Sequence, residues 1–295
     1  MWDRKTLLSA SQFSRADVEE IISRAARFKQ KTERLCNGKI LANIFFEPST
    51  RTEKSFQAAM YRLGGNVISH KDAGSSREKG ETKNDTIRIL SSYADIAVIR
   101  DSEEGKTQEY ADIAGIPVIN AGDGGNEHPS QMLLDAFTIK ENVGRLDDLK
   151  VLFVGDMRHS RTIRSLIKIL SKFRNNAMYG VHIGDSGISG DIEKLVKKVS
   201  PVSSLRGMIE ELSPDVVYCN RIQKERLKGE TASSYMIDGG VVEIMPENCI
   251  LMDPLPRVGN MDPRIDSDSR AAYFKQAANG VPMRMAIIAE MLKAK

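Results

Sequence analysis

Short apolar runs alternate with helix-forming stretches along this chain, and the alternation happens twice. In the first half the runs 39–46 (KILANIFF), 66–69 (NVIS), 94–100 (ADIAVIR) and 116–120 (IPVIN) each read as a buried strand. Between them, stretches near 51–63, 82–93 and 106–114 have the three- and four-residue apolar spacing of amphipathic helices. Strand-helix alternation makes βαβ units, and βαβ units make a parallel sheet covered by helices. The pattern restarts after a helix at about 130–142 that ends near Gly144. The second set of strands is 150–156 (KVLFVGD), 178–184 (MYGVHIG), 215–219 (DVVYC) and 249–253 (CILMD). The expected fold class is α/β, with two doubly wound parallel-sheet α/β domains joined by interdomain helices. Residues 1–135 form the first domain and 136–279 the second, with the terminal helix 280–295 packing back on the first. An opening helix is marked by Ser14 and Asp17, a capping-box start, with Val18, Ile21, Ile22, Ala25 and Phe28 on one face.

A length of 295 residues allows two cores, and 41% hydrophobic with 28% charged residues describes an ordinary soluble globular protein. The net charge of +3 is too small to argue for nucleic acid or a membrane surface as partner. No secretory leader is visible at the N-terminus and no apolar run is long enough to span a bilayer. The three cysteines, Cys36, Cys219 and Cys249, are scattered and lack ligand spacing. That argues against structural zinc or a disulfide framework and fits a reducing, cytoplasmic compartment.

In open α/β sheets ligands bind at the carboxyl ends of the strands, and the polar clusters fall there. In FFEPSTRTEKSF (45–56), a strand ends at Glu47-Pro48 and a helix carrying Phe56, Ala59, Met60 and Leu63 begins with Ser49, Thr50, Arg51 and Thr52. A helix start offers backbone N–H groups and the positive dipole end, a ready site for an anion and most often a phosphate. The alternative is that Ser49 or Thr50 merely caps the helix, although a cap needs one hydroxyl rather than three and an arginine. Arg100 closes the strand 94–100, where it can meet either a surface carboxylate or an anion held by that helix start. In GDGGNEHPSQMLLDAF (122–137), His128 precedes Pro129 and Gln131 follows one turn later. A neutral imidazole can donate to a carbonyl oxygen and Gln131 can match a small amide; a surface histidine beside a helix start is the plainer reading. The loop DAGSSREKGETK (72–83) brings Ser75 and Lys79, either as phosphate ligands or as part of a solvated segment.

The second half repeats the arrangement with more guanidinium. VGDMRHSRTIRSL (154–166) begins a helix with Ser-Arg-Thr and has no G-x-G-x-x-G, so a dinucleotide site is not supported. Arg161 stands at that helix start, and Arg221 and Gln223 lie two apart in NRIQKERL (220–227), just after the strand 215–219. Guanidinium groups grip carboxylates bidentately, so Arg161 with Arg221 suits a dicarboxylate. Surface ion pairing, worth little, is the competing reading. In MDPLPRV (252–258) the prolines stiffen a loop that can present backbone carbonyl oxygens, or simply turns.

Taken in order, FFEPSTRT, KGET, HPSQ, NRIQKER and PLPR resemble the aspartate/ornithine carbamoyltransferase superfamily, and within it the aspartate carbamoyltransferase catalytic chains, nearly end to end. The resemblance implies that Ser49, Thr50, Arg51 and Thr52 bind the phosphate of carbamoyl phosphate, with Arg100 bridging phosphate and carbonyl oxygen. Thr52, Arg100 and His128 would polarise that carbonyl. Gln131 and the backbone carbonyls of Pro254 and Leu255 would hold the carbamoyl amino group. Arg161, Arg221 and Gln223 would bind the carboxylates of L-aspartate. Ser75 and Lys79 would arrive from a neighbouring subunit of a homotrimer and complete a shared site, Lys79 serving both substrates. Glu47 and Arg226 would support the arginines, and Arg284 on the last helix would help hold the domains. One departure stands out: Asp253 occupies a position where the family commonly has His, adding a carboxylate near anionic substrates.

The implied activity is carbamoyl transfer to the α-amine of aspartate, a step of pyrimidine biosynthesis, with no covalent nucleophile, no metal and no cofactor. Regulatory chains as further partners stay open. The two substrates bring about four negative charges, against which stand Arg51, Lys79, Arg100, Arg161 and Arg221. A transcarbamylase for another amine, such as ornithine, would want an acidic or cysteine-containing pocket rather than paired arginines. A non-catalytic phosphate-binding relative would be expected to lose part of the cationic set, and here none is missing.

Overall fold

A computed structural model describes residues 2–72, 76–183, 187–222 and 235–293. The chain divides into two compact units, Met1–Leu134 with Asn279–Lys295, and Asp135–Ala278.

The first unit runs β1 (Thr6–Leu7), α1 (Arg15–Gln30), β2 (Ile40–Phe45), α2 (Thr50–Arg62), β3 (Asn66–Lys71), α3 (Lys83–Ser92), β4 (Ile96–Asp101), α4 (Lys106–Ala114) and β5 (Val118–Asp123). Helix α5 (Pro129–Val143) then carries the chain into the second unit and stops before Gly144, whose φ of +83° suits only a glycine-like residue. The α1 start is a capping box in which Ser14 Oγ accepts from Asp17 N at 3.2 Å and Ser14 N donates to Asp17 Oδ2 at 2.8 Å. The five strands order β1-β5-β4-β2-β3, all parallel. Ala42 and Ile44 of β2 and Ala97 and Ile99 of β4 are fully buried, with Ile87 of α3 and Tyr110 of α4 packed over them. Strands covered on both faces are continuous apolar runs, which is why the sequence shows them so clearly.

The strand order reverses between β2 and β4, the switch point at which open α/β sheets hold ligands. Register pairs Phe45 with Arg100 there. The Ser-Thr-Arg-Thr segment therefore leaves the sheet from the strand beside the one that carries Arg100.

The second unit repeats the plan with β6 (Lys150–Gly155), α6 (Arg161–Leu170), β7 (Ala177–His182), β8 (Lys198–Pro201), α7 (Leu205–Leu212), β9 (Val216–Cys219), α8 (Gly239–Glu243) and β10 (Ile250–Met252). Helix α9 (Tyr273–Met291) returns the chain to the first unit, beginning well before the apolar run that marks it in the sequence. The order β10-β9-β6-β7-β8 is again all parallel, and its switch point lies between β6 and β9. Leu152 and Val154 of β6, Val217 and Cys219 of β9 and Leu251 of β10 share one core with Ile209 of α7. Two strands escape the sequence reading, β1 with its two residues and β8 with only Ser200 buried. Among the described residues no helix is long and apolar enough to cross a membrane.

Gly155 ends β6 at φ +132°, and a Cβ there would lie 2.1 Å from the carbonyl oxygen of Asn220. Both the backbone angle and the close approach demand glycine. Gly155→Ala is expected to destabilise the chain by about 3 kcal/mol or more, through strain and backbone displacement together. A urea midpoint within error of the parent would contradict this close approach of β6 to the end of β9.

Candidate active site

Ser49 occupies the N-cap of α2 with extended backbone (φ −159°, ψ 96°), yet its side chain makes no capping hydrogen bond. Ser14, Thr82 and Ser160, which stand at the same position of α1, α3 and α6, all accept from a backbone N–H of the first turn. The α2 ladder opens with Glu53 N donating to the Ser49 carbonyl at 3.1 Å, so the N–H groups of residues 50–52 precede it. Ser49 does not cap them. Thr50 and Arg51 are exposed and Thr52 is buried.

Beside this helix start lies Arg100, which is buried and fixed from two sides. Its Nη2 meets Glu47 Oε2 at 2.9 Å and its Nη1 donates to the Ala121 carbonyl at 3.0 Å. Glu47 precedes Ser49 by two residues, so one short segment supplies both the helix start and the arginine's carboxylate. The buried His128 imidazole sits between two hydroxyls, Thr52 Oγ1 at 3.5 Å from Nε2 and Ser130 Oγ at 3.5 Å from Nδ1. Both contacts are long for hydrogen bonds, and either hydroxyl can donate or accept. Gln131 lies one turn into α5 and is buried, its backbone N–H donating to the His128 carbonyl at 2.9 Å.

The loop that delivers His128 is tied down by residues the sequence reading passes over. Asp123 accepts from Asn120 Nδ2 at 2.8 Å, Gly105 N at 3.0 Å, Asn126 Nδ2 at 3.0 Å and Glu127 N at 3.2 Å. The Glu127 carboxylate in turn accepts from Ala10 N at 2.7 Å. Polar residues spaced through a glycine-rich loop are the available signal, but their partners are set by the fold. A second cluster anchors the start of α3. Asp101, fully buried at the end of β4, accepts from Tyr110 Oη at 2.7 Å and from Lys83 Nζ at 2.9 Å. Burial pushes the Asp101 carboxyl up, and the hydrogen bonds from Tyr110, Glu103 N and Lys83 outweigh it and hold it below the usual range. Lys79 is exposed and ends the short 3-10 helix Ser76–Lys79, while Ser75 lies outside the described residues. Arg284 is buried on α9, its guanidinium 4.9 Å from the centroid of the Phe56 ring of α2.

In the second unit, Arg161 opens α6 and is largely buried, and Arg221 is half-buried with its Nη1 donating to the Ile222 carbonyl at 3.2 Å. Both stand at strand carboxyl ends flanking the β6/β9 switch point. Gln223 and Arg226 lie outside the described residues. Pro254 and Leu255 are half-buried in the loop after β10, where Leu255 has a φ of +58°. The neighbouring Asp253 is only 1% exposed. Its Oδ1 accepts from Leu255 N at 2.6 Å, its Oδ2 from Asn260 Nδ2 at 2.9 Å, and its own N–H donates to Gln276 Oε1 at 2.9 Å. The carboxylate shapes the loop from inside and holds Leu255 in its left-handed conformation.

The absent cap has a measurable consequence. Ser14→Ala, which removes a working cap, is expected to cost about 1 kcal/mol, whereas Ser49→Ala should cost less than about 0.5 kcal/mol in urea unfolding. Equal losses would restore Ser49 as an ordinary cap.

The chain matches two family models, "Aspartate/ornithine carbamoyltransferase, carbamoyl-P binding domain" over residues 5–141 and "Aspartate/ornithine carbamoyltransferase, Asp/Orn binding domain" over 147–291. It is 42% identical to the aspartate carbamoyltransferase catalytic subunit of Archaeoglobus fulgidus, over 97% of this chain and 98% of that one. Among solved structures it is similar to the catalytic subunit of Methanocaldococcus jannaschii aspartate transcarbamoylase, with a TM-score of 0.86, 40% identity and 98% of both chains covered. It is also similar to the Trypanosoma cruzi aspartate transcarbamoylase in complex with carbamoyl phosphate and aspartate, with a TM-score of 0.86, 34% identity and 97% and 96% coverage. Two parallel-sheet units, a helix start beside a pinned arginine, and full-length relatives agree: the chain belongs to the aspartate/ornithine carbamoyltransferase family.

Proposed function

We propose that this chain transfers the carbamoyl group of carbamoyl phosphate to the α-amine of L-aspartate, giving N-carbamoyl-L-aspartate and phosphate. The observation that carries the proposal is the α2 start, which Ser49 does not cap, beside an Arg100 fixed by Glu47 and the Ala121 carbonyl. Aspartate is favoured over ornithine by the named activity of the relatives and by the arginines at the ends of β6 and β9. The product serves pyrimidine synthesis.

Ser49, Thr50, Arg51 and Thr52 donate to the phosphate oxygens. Arg100 reaches the phosphate and the carbonyl oxygen, and Thr52 and His128 complete the donors to that oxygen. Gln131 and the Pro254 and Leu255 carbonyls take the carbamoyl amino group. Arg161, Arg221 and Gln223 take the two carboxylates of aspartate. The amine lone pair attacks the carbonyl carbon, and charge collects on the oxygen of a tetrahedral intermediate. The C–O bond to phosphate then breaks, and the amine's proton leaves with the departing phosphate. Each oxyanion donor can contribute about 3–4 kcal/mol. Holding the two reactants in line supplies several more, up to about 7–11 kcal/mol in ideal cases.

The purified protein should form a carbamoylated product with aspartate and none with ornithine; the reverse preference would overturn the proposal. His128→Ala should lower kcat by about a hundred- to a thousandfold, because a donor to developing charge matters most in the transition state. It should leave the carbamoyl phosphate Kd nearly unchanged. A loss confined to Kd would make His128 a binding group instead.

The proposal extends to a cytoplasmic homotrimer whose sites are shared, Ser75 and Lys79 completing the site of the neighbouring subunit. The exposure of Lys79 is compatible with that reach. Lys79→Ala and Arg51→Ala proteins should each be nearly inactive. After dissociation of equal amounts and random reassembly, about a quarter of the sites would combine an intact main chain with an intact loop. Mixed trimers as inactive as their parents, with exchange verified, would return Lys79 to its own subunit's site.

A further inference from the structure

The two arginines of the second unit are each preceded by a small polar residue, and those two residues are bonded to each other. Asn220 stands immediately before Arg221, and Ser160 immediately before Arg161. Asn220 Nδ2 donates to Ser160 Oγ, across a sequence separation of 60 residues, and both groups are buried. We infer that the Ser160–Asn220 hydrogen bond is the positioning device that sets the spacing of Arg161 and Arg221, and with it the length of dicarboxylate the acceptor site takes. The inference rests on the assignment of both arginines to aspartate.

The geometry around the bond leaves each partner little freedom. The Asn220 N–H donates to the Val154 carbonyl of β6 at 2.8 Å. The Asn220 carbonyl accepts from Tyr235 Oη at 2.9 Å. That carbonyl oxygen also occupies the space where Gly155 would carry a Cβ. Its backbone is thus clamped to the end of β6, leaving the side chain to reach the start of α6. Ser160 is equally committed. Its Oγ accepts from Ile163 N at 3.2 Å as the α6 cap and lies 3.1 Å from Thr162 Oγ1. A hydroxyl has one proton and two acceptor sites. Two bonds accepted, from Ile163 N and Asn220 Nδ2, and one donated, to Thr162, use all of them. A fully satisfied buried hydroxyl has one preferred orientation, and turning it breaks the cap, the Thr162 contact and the Asn220 bond together.

The consequence concerns spacing rather than charge. Two guanidiniums that grip opposite ends of one small molecule discriminate by the distance between them. Their main chains enter from different strand ends, β6 and β9, whose ladder stops at Val154 and Cys219. The backbone bond to Val154 holds Asn220 but not the start of α6, which lies past the end of β6, and the Ser160–Asn220 bond ties that start, and Arg161 with it, to the clamped Asn220. Neither residue need touch the substrate. Loss of the bond leaves both cations in place and loosens their separation, which weakens binding of the fitting acceptor and improves nothing for carbamoyl phosphate.

The test uses the full-length protein and compares Asn220→Ala, Ser160→Ala, Ser160→Thr, the Asn220→Ala/Ser160→Ala double variant, and Arg221→Ala as reference. Asn220→Ala should raise the KM for aspartate by about ten- to a hundredfold, the scale of a misplacement of about 1 Å. It should leave kcat at saturating aspartate and the Kd of carbamoyl phosphate within about twofold of the parent. Ser160→Ala should do the same with a lower melting temperature from the lost cap, and Ser160→Thr, which keeps a hydroxyl, should restore the parent KM. The double variant should cost no more than the worse single change, since one bond is lost in each. Inhibition by malonate, succinate and glutarate reads the spacing directly: the parent should favour one chain length, and Asn220→Ala should flatten that preference. A KM near the parent's or an unflattened length preference in folded Asn220→Ala, while Arg221→Ala raises KM, overturns the inference and spares the arginine assignment. No effect of Arg221→Ala overturns both. If Asn220→Ala does not fold, Ser160→Ala against Ser160→Thr decides on the same two readouts.

Discussion

A helix cannot satisfy the backbone N–H groups of its own first turn, and this unit of structure follows nearly every strand of a parallel sheet. In this chain the consequence is sharpest at α2. The strand order of the first sheet reverses between β2 and β4, register sets Phe45 against Arg100, and the α2 start emerges beside the arginine. Glu47 then ties the segment to the guanidinium before the helix begins. Ser49 at the N-cap makes no cap of its own, and in the proposed reaction an anion takes that place.

The second unit meets the same constraint and resolves it differently. Ser160 caps α6 with its own hydroxyl, so one backbone donor there, the Ile163 N–H, is taken inside the protein. What this end of the sheet offers instead is guanidinium, from Arg161 and Arg221. The contrast matches the two ligands in the proposed reaction. A phosphate suits converging backbone N–H groups and a helix dipole, while two separated carboxylates suit two fixed cations. Polar residues behind each group do the fixing: Glu47 and the Ala121 carbonyl for Arg100, Asp123 for the His128 loop, and Asp253 for the loop of Pro254 and Leu255.

Much of this is legible in the sequence because buried parallel strands are uninterrupted apolar runs and helix starts carry recognisable residues. β8 lacks such a run because only one of its four residues is buried, and β1 is too short to have a pattern. The proposal that the Ser-Thr-Arg-Thr segment holds an anion starts from residue type alone. Whether Ser49 caps its helix depends on side-chain orientation, which no neighbouring residue type dictates. Asp253 is instructive in another way: the sequence shows an added carboxylate beside Pro254, at a place where backbone carbonyls are expected to keep binding intact. Its partners, Asn260 and the Leu255 N–H, turn it into a brace inside the loop. The Ser160–Asn220 bond joins segments that only the strand order β9-β6 brings together, so it has no local signal at all.

The central claim is that an anion replaces the missing serine cap at α2, and a crystal structure of the protein with carbamoyl phosphate bound tests it most directly. The phosphate oxygens should lie about 3 Å from backbone N–H groups of the first α2 turn, with the Arg100 guanidinium within the same reach. The Ser49 hydroxyl should also point at the ligand. A phosphate bound elsewhere, or a Ser49 hydroxyl turned back to cap α2 with the ligand present, would contradict the claim.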